Sequence, residues 1–276
     1  MRKYLLLFSI IMSTHCWAVD PFEDFTEYGE LSEEEIHILH KGDMLYGDTE
    51  FGFILNKGNT NSSTYKLRGN LYQDFDKWRN QFKIDSLYKR DSDSDTGESD
   101  VSADRIFISA QGNYKIGLKN MSFFIYGDYE DDEFSGLDYK STLATGYGTR
   151  VFQGIKNKVD IDIGPGLYRS VAEPESEDSE DSEIVSGVTE AGYLLRIAMQ
   201  WERLISKRTR FNQDLSLEQS LSGLNSRFKS ETALISQVMG AVSLKFSYMY
   251  RYNSKPEDDN LKYDTELSAT LVYSFN

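Results

Sequence analysis

Residues 267–276 read LSATLVYSFN, and this alternation decides the fold. In an extended chain, successive side chains point to opposite faces. One face here is polar apart from a valine, and the other is apolar and ends in two aromatics: Leu267, Ala269, Leu271, Tyr273 and Phe275. Such a segment is typical of a transmembrane β-barrel strand, whose outer face contacts lipid and whose inner face lines a polar lumen.

The same alternation runs through most of the chain. From residue 46 onward, apolar and polar side chains repeat with a period of two, and clusters of turn-forming residues interrupt the pattern. The pattern predicts about 12 strands, at residues 47–56, 63–74, 78–89, 102–116, 121–130, 140–152, 158–170, 184–204, 210–219, 228–238, 242–253 and 263–275. We therefore predict an all-β fold, a transmembrane antiparallel up-and-down β-barrel, over residues 46–276.

The connections between these strands alternate in length and charge. Those expected at one end include the acidic runs RDSDSDTGESDV (90–101), AEPESEDSEDSE (172–183) and SKPEDDNL (254–261). Those at the other end include the short segments GLKN (117–120) and SKRT (206–209). Outer-membrane barrels have long extracellular loops and short periplasmic turns, so this sorting indicates the cell outer membrane. A soluble periplasmic β-sandwich binding module, or a lipocalin-like cup, is the alternative, but neither gives a reason for such sorting.

The first eighteen residues predict a cleaved signal peptide. Arg2 and Lys3 form a positive n-region, the apolar run 4–12 is too short to span a bilayer, and residues 16–18 (CWA) resemble a cleavage site. We therefore expect the protein to be exported. Cleavage after residue 18 also removes Cys16, the single cysteine, so the mature chain would form no disulfide.

Residues 19–45 differ from the barrel and predict an N-terminal periplasmic segment with a short helix. The capping box at residues 32–35 (SEEE) favours a helix over residues 33–40, ending near Gly42. His37 and His40 share a helix face, but no third ligand type is clustered with them, so we expect no metal site there. The segment could dock in the barrel mouth as a plug.

Composition excludes some functions without deciding the fold. The chain carries 45 acidic against 30 basic residues, a net charge of −15, which argues against nucleic acid as a partner. The mean hydropathy of −0.52 would suit a soluble protein equally well. Mean hydropathy does not separate a soluble protein from a membrane barrel, because barrel strands carry only one apolar residue in two and barrel loops are polar.

Several stretches resemble a known family. Residues 129–139 (YEDDEFSGLDY), 164–169 (GPGLYR), 51–53 (FGF) and 57–60 (KGNT) are similar to the salt-induced outer-membrane proteins of Gram-negative bacteria, the YdiY-like family of unknown function. The resemblance runs from about Gly47 to Phe275. It implies a small outer-membrane barrel and brings no activity, substrate or catalytic residue. It also implies that the barrel-assembly machinery is a partner, recognising a closing strand that ends on an aromatic, here Leu271, Tyr273 and Phe275.

The residue types of enzyme sites do not come together in the predicted barrel. All three histidines, His15, His37 and His40, precede it, which excludes a Ser-His or Asp-His site within it. No glycine-rich phosphate loop or zinc spacing occurs, so we expect no cofactor. The sequence therefore predicts a protein that is not an enzyme.

Charged residues on the predicted inward faces nearly balance. The acidic set comprises Glu50, Asp85, Asp160, Asp162, Glu190, Glu202, Asp214, Glu218 and Glu231. The basic set comprises Lys66, Arg68, Arg79, Lys83, Lys89, Arg105, Arg196, Lys229, Lys245 and Arg251. Balance favours cross-strand ion pairs that fill a narrow lumen, because unpaired buried charges are costly. The protein would then be a structural or envelope-stress component, or a narrow channel. An open, porin-like pore with charged rings is the alternative.

The long acidic loops are expected at the cell surface, next to outer-membrane lipid and lipopolysaccharide. Asp91, Asp93 and Asp95, or Asp178, Glu180 and Asp181, offer oxygen ligands for weak binding of Ca²⁺ or Mg²⁺. The first group departs from a calcium loop because Gly97 falls one position late and Ser102 replaces the closing glutamate. Solvated loops without bound metal remain the alternative.

Overall fold

The computed structural model describes residues 44–56, 61–92, 99–117, 120–133, 137–154, 156–172, 189–223, 225–256 and 261–275. These residues form one closed antiparallel sheet in which each strand pairs with its neighbours along the chain and the first strand pairs with the last. The strands are β1 Met44–Asn56, β2 Asn61–Asp74, β3 Trp78–Ser92, β4 Ser99–Ile116, β5 Met121–Asp132, β6 Leu137–Gly154, β7 Asn157–Ala172, β8 Thr189–Ser206, β9 Thr209–Ser220, β10 Arg227–Met239, β11 Val242–Asn253 and β12 Tyr263–Phe275.

The predicted up-and-down barrel of 12 strands is confirmed. A single sheet closed on itself is not a sandwich of two sheets, so the soluble β-sandwich alternative is wrong for the described residues. Most predicted strand boundaries agree with the observed ones within three residues. The remaining differences arise because a period of two locates a strand but does not fix its first and last residues. The predicted start of the eighth strand at 184–188, the signal peptide and the N-terminal helix lie outside the described residues. Within the described ranges, no helix has the length and apolar character needed to cross a membrane.

Strand β5 shows how the two faces differ. Ser122, Phe124 and Tyr126 are buried inside the barrel, whereas Phe123 and Ile125 between them are exposed on its outer surface. Other strands repeat this arrangement, with large apolar side chains exposed on the outside. In water, so much exposed apolar surface would promote aggregation, but in a membrane it contacts lipid. Pairing of β1 with β12 over Gly47–Phe51 closes the sheet and satisfies backbone hydrogen bonds there that an open edge would leave unpaired in lipid.

Aromatic contacts cluster at the two ends of the barrel. The end with the short turns carries outward pairs across adjacent strands: Trp78–Tyr114, Phe123–Tyr147 and Trp201–Phe211. The opposite end carries another set: Phe53–Tyr65, Tyr129–Tyr139 and Phe228–Tyr250. Two such levels correspond to the two membrane–water boundaries of a transmembrane barrel.

The connections define the orientation of the barrel. Met44 and Phe275 lie at the end where the turns are short, including 75–77, 207–208 and 240–241. Asn120 and Gly240 adopt positive φ values of 66° and 50° in two of these turns, a conformation that suits asparagine and glycine. At the opposite end the connections are longer. The short-turn end is therefore the periplasmic end, and the other is the external end.

Candidate functional site

Arg68 on β2 points into the lumen, where it contacts three carboxylates. Its guanidinium lies 2.5 Å from Asp85 Oδ2 on the neighbouring strand β3 and 2.5 Å from Glu231 Oε1 on β10. It also lies 3.8 Å from Glu50 Oε1 on β1. All four side chains point inward and are almost completely shielded from solvent. Strand β10 is four positions from β2 around the barrel, so Arg68 reaches across the lumen and does not only bridge adjacent strands.

Lys245 on β11 completes this central cluster. Its Nζ donates to Glu50 Oε1 at 2.7 Å and to Glu231 Oε1 at 3.1 Å. The hydroxyl of Thr270 donates to the other Glu50 oxygen at 3.4 Å. Each carboxylate is thus shared between two cations, which offsets the desolvation of buried charge through several hydrogen bonds. Removing one member would leave the others uncompensated.

A second set of ion pairs lies next to the central cluster. Lys66 on β2 donates to Glu266 on β12, and Arg251 lies 3.4 Å from the other oxygen of Glu266. Arg105 on β4 lies 3.1 Å from Asp85, which joins the first set to the wall formed by β3 and β4. Together the two sets of ion pairs cover the inner wall over β1–β4 and β10–β12.

Two contacts join walls that lie opposite or nearly opposite each other. Nζ of Lys229 on β10 lies 4.7 Å from the ring centroid of Phe107 on β4, and these strands are six positions apart in a ring of twelve. Nearer the periplasm, the amide of Gln200 on β8 donates to Gln81 Oε1 on β3 at 3.2 Å. Side chains therefore span the lumen at more than one height.

The inner face of strands β5–β8 differs from the rest, because it carries buried apolar side chains and small residues. Phe124 and Ala144 are buried together with Tyr126, and Arg196 stacks over the Tyr126 ring with its Cζ 3.6 Å from the centroid. Gly164 allows β6 and β7 to approach closely, because a Cβ there would lie 2.0 Å from the Thr145 carbonyl oxygen. On this side the inner wall therefore carries apolar packing as well as charged groups.

The remaining predicted lumen residues lie on inward faces around the network. Arg79 lies 3.4 Å from Asp74 and 3.9 Å from Asp160. Arg196 lies 3.5 Å from Glu218. The others share the inward parity of their strands, as their register partners show: Lys83 with Ser109, Glu190 with Ser170, and Glu202 with Lys158.

Several lumen contacts involve residues that sequence reasoning missed. Arg227 pairs with Glu218 at 2.6 Å and donates to Thr142 on β6 at 2.7 Å. Arg150 pairs with Asp160 at 2.7 Å. These residues, together with Glu266, Gln81 and Gln200, follow the same period of two, so their inward direction was available from the sequence. Their partners were not.

The predicted assembly signal lies on the closing strand. Leu271 and Tyr273 are exposed on the outer surface, and Phe275 packs against β1 at the barrel seam. The residues proposed for divalent cations lie mostly outside the described residues, since only Asp91 of the two groups is described. Within the described part of the chain, no group of three or more histidine, cysteine, aspartate or glutamate residues is arranged to hold a metal ion.

A closed 12-stranded sheet with a lipid-facing apolar surface, two aromatic levels and a polar interior defines the class: an outer-membrane β-barrel protein. A family model described as "Protein of unknown function, DUF481" matches residues 49–275, so the chain belongs to this family. No curated protein matches the chain.

Solved structures similar to the chain include two autotransporter domains and a porin. The translocator domain of autotransporter NalP from Neisseria meningitidis is 10% identical, with 88% of this chain and 92% of that chain covered and a TM-score of 0.49. The β domain of the Bordetella autotransporter BrkA is 11% identical, with 85% and 99% covered and a TM-score of 0.43. A porin is 9% identical, with 85% and 100% covered and a TM-score of 0.35.

Proposed function

We propose that the protein is a non-enzymatic outer-membrane barrel whose lumen is closed by its own side chains, so that it acts as a structural envelope component and not as an open pore. The observation that carries this proposal is the Lys229–Phe107 contact between opposite walls, 4.7 Å from Nζ to ring centroid. The Arg68–Glu231 ion pair supports it, and so does the Gln81–Gln200 hydrogen bond nearer the periplasm.

Side-chain packing explains why a barrel of this size can be closed. Twelve strands lie between eight-stranded barrels, whose side chains fill the interior, and porins of sixteen or more strands, which leave an aqueous channel. Long inward side chains from Arg68, Arg196 and Lys229 reach far enough to compensate for the larger diameter. Ion pairing makes such filling possible, because each buried charge has a partner of opposite sign that offsets the cost of its desolvation.

Single-channel recording in planar lipid bilayers tests this proposal. We expect the purified full-length protein to give no stepwise openings. A variant in which Gln81, Gln200, Lys229, Arg68 and Glu231 are all replaced by serine removes the spanning contacts and should conduct. The control replaces Ser109 and Ser243 by alanine, which changes buried lumen positions without shortening any spanning side chain, and should stay silent.

The outcomes separate the closed barrel from the porin-like alternative. Regular openings of the unaltered protein, with ion selectivity that reverses when Glu190 is replaced by lysine, would favour the open pore. Heat-modifiable migration on gels shows that each variant is folded before it is recorded. Silence of the five-position variant, once folded, would contradict the assignment of these contacts as the closure.

The envelope-stress role is a finer part of the proposal. It is supported by the resemblance to salt-induced outer-membrane proteins, and its partners would be lipopolysaccharide and the barrel-assembly machinery. Quantitative immunoblotting of outer membranes tests it directly: we expect the protein to become several-fold more abundant when salt is raised. If the abundance of the correctly folded protein does not change when salt is raised, the stress role is wrong. The closed-lumen proposal would be unaffected.

A further inference from the structure

A groove of about 500 Å³ opens on the outer surface of the barrel at the periplasmic end of β7–β9. Its lining includes two aromatic side chains, Trp201 and Phe211, the aliphatic side chain of Ile205, and two cations, Lys156 and Arg203. Because the groove lies on the lipid-facing side, its occupant comes from the membrane and not from the lumen.

Strand register brings these residues together. Trp201 on β8 pairs with Val159 on β7, and Arg203 pairs with residue 157 on one side and Phe211 on the other. The Trp201 and Phe211 rings meet edge to face with centroids 5.3 Å apart. The backbone N–H of Leu204 donates to the Lys156 carbonyl at 2.9 Å, which holds the β6–β7 turn against β8 beside Arg203.

The two cations are exposed and available to a ligand. Both side chains are exposed on the barrel, and neither takes part in an ion pair with another described residue. They lie at the level where the Trp201–Phe211 pair marks the membrane–water boundary, since amphipathic aromatic rings are enriched there. A long cationic side chain at this depth keeps its charge among the headgroups while its stem contacts lipid.

We propose that this groove binds an anionic phospholipid of the periplasmic leaflet. Its phosphate lies between Lys156 and Arg203, and an acyl chain runs along Trp201 and Ile205. Charge complementarity carries the assignment, because two neighbouring cations beside an apolar floor match a phosphate attached to a hydrocarbon chain. A second groove, near the external end, has Arg169 as its single cation, which distinguishes the periplasmic groove.

Native mass spectrometry of the purified full-length barrel in detergent, with added phosphatidylglycerol or phosphatidylcholine, tests the site. We expect bound phosphatidylglycerol to be retained in preference to phosphatidylcholine, and the variant K156Q/R203Q to lose that preference by about tenfold or more. Each cation near an anionic headgroup contributes roughly a fivefold factor. The charge-conserving variant K156R/R203K should keep the preference.

The matched control is K207Q/R208Q, which removes two exposed cations from the adjacent β8–β9 turn, outside the groove lining. It should retain the preference. Equal loss in the control would show that general basic charge attracts the lipid and would overturn the site. So would an unchanged preference in K156Q/R203Q, or no preference in the unaltered protein. None of these outcomes depends on whether the lumen is closed, because the groove is on the opposite face of the wall.

Discussion

The ring of Phe275 lies over Gly47, its register partner across the seam between the last strand and the first. A Cβ on Gly47 would come within 2.6 Å of the ring Cζ and within 2.5 Å of the Asn70 carbonyl oxygen. The absence of a side chain at position 47 thus allows the closing aromatic to pack against the first strand.

Replacing Gly47 by alanine should weaken barrel closure. The added methyl group clashes with both the ring and the backbone, and overpacking of this kind costs about 1–3 kcal/mol. Urea unfolding in detergent micelles measures the change. Gly117→Ala is the control, because no atom lies within 4 Å of a Cβ built there. Equal stability of the two variants would show that Phe275 moves aside without cost.

Phe275→Ala should lower the amount of protein in the outer membrane more than deletion of Asn276 does. The Phe275 side chain supplies both the seam contact and the closing aromatic of the predicted assembly signal, whereas Asn276 is a polar residue that does not belong to that signal. Quantitative immunoblotting of membrane fractions measures both variants. The reverse order would place the assembly signal elsewhere.

Glu231→Gln should destabilise the barrel by about 3–5 kcal/mol, because Arg68 and Lys245 both lose a buried partner. The free energy of unfolding from urea titration gives the value. Lys89→Met is the comparison. The Lys89–Asp91 pair, 3.0 Å apart, is much more exposed, and pairs of that kind contribute about 0–1 kcal/mol. Similar losses in both variants would show that burial does not strengthen the network.

Adjacent phenylalanines on β5 provide a test of the interior packing. Phe124→Ala should cost about 3–5 kcal/mol, since this side chain is fully buried inside the barrel and its removal leaves a cavity. Phe123→Ala on the outer face should cost less, about 1.5–3 kcal/mol, because lipid fills the space and only the transfer term is lost. Unfolding measurements that reverse this order would mean that the two faces of β5 are exchanged.

Much of this architecture follows from the sequence, because a barrel strand repeats over two residues and its turns interrupt the repeat. The closing stretch at 267–275 shows this: its predicted lumen face includes Thr270, Val272 and Ser274, and these three are buried. The alternation of long acidic connections with short turns also predicts which end of the barrel faces the periplasm. Periodicity places a side chain inside or outside without any knowledge of its neighbours.

The pairing inside the lumen could not be predicted in the same way. Lys229 meets Phe107 because β10 and β4 face each other in a ring of this size, and that relation depends on strand number and stagger together. The packing of the apolar Phe124 side chain inside a polar lumen could not be predicted either, since a period of two assigns a direction and not a packing partner. The groove beside Trp201 likewise requires residues from three strands and a turn.

The seam pairs only Gly47–Phe51 with Leu271–Phe275, whereas β1 pairs with β2 along its whole length from Met44 to Asn56. The hydrogen-bonded ladder between β1 and β12 is therefore confined to the periplasmic half of the wall. Toward the cell surface, the Lys66 side chain on β2 reaches past β1 on the inside and pairs with Glu266 on β12. The seam between β1 and β12 is thus the weakest strand pairing of the barrel. Local separation of strands under heat or mechanical load should begin there.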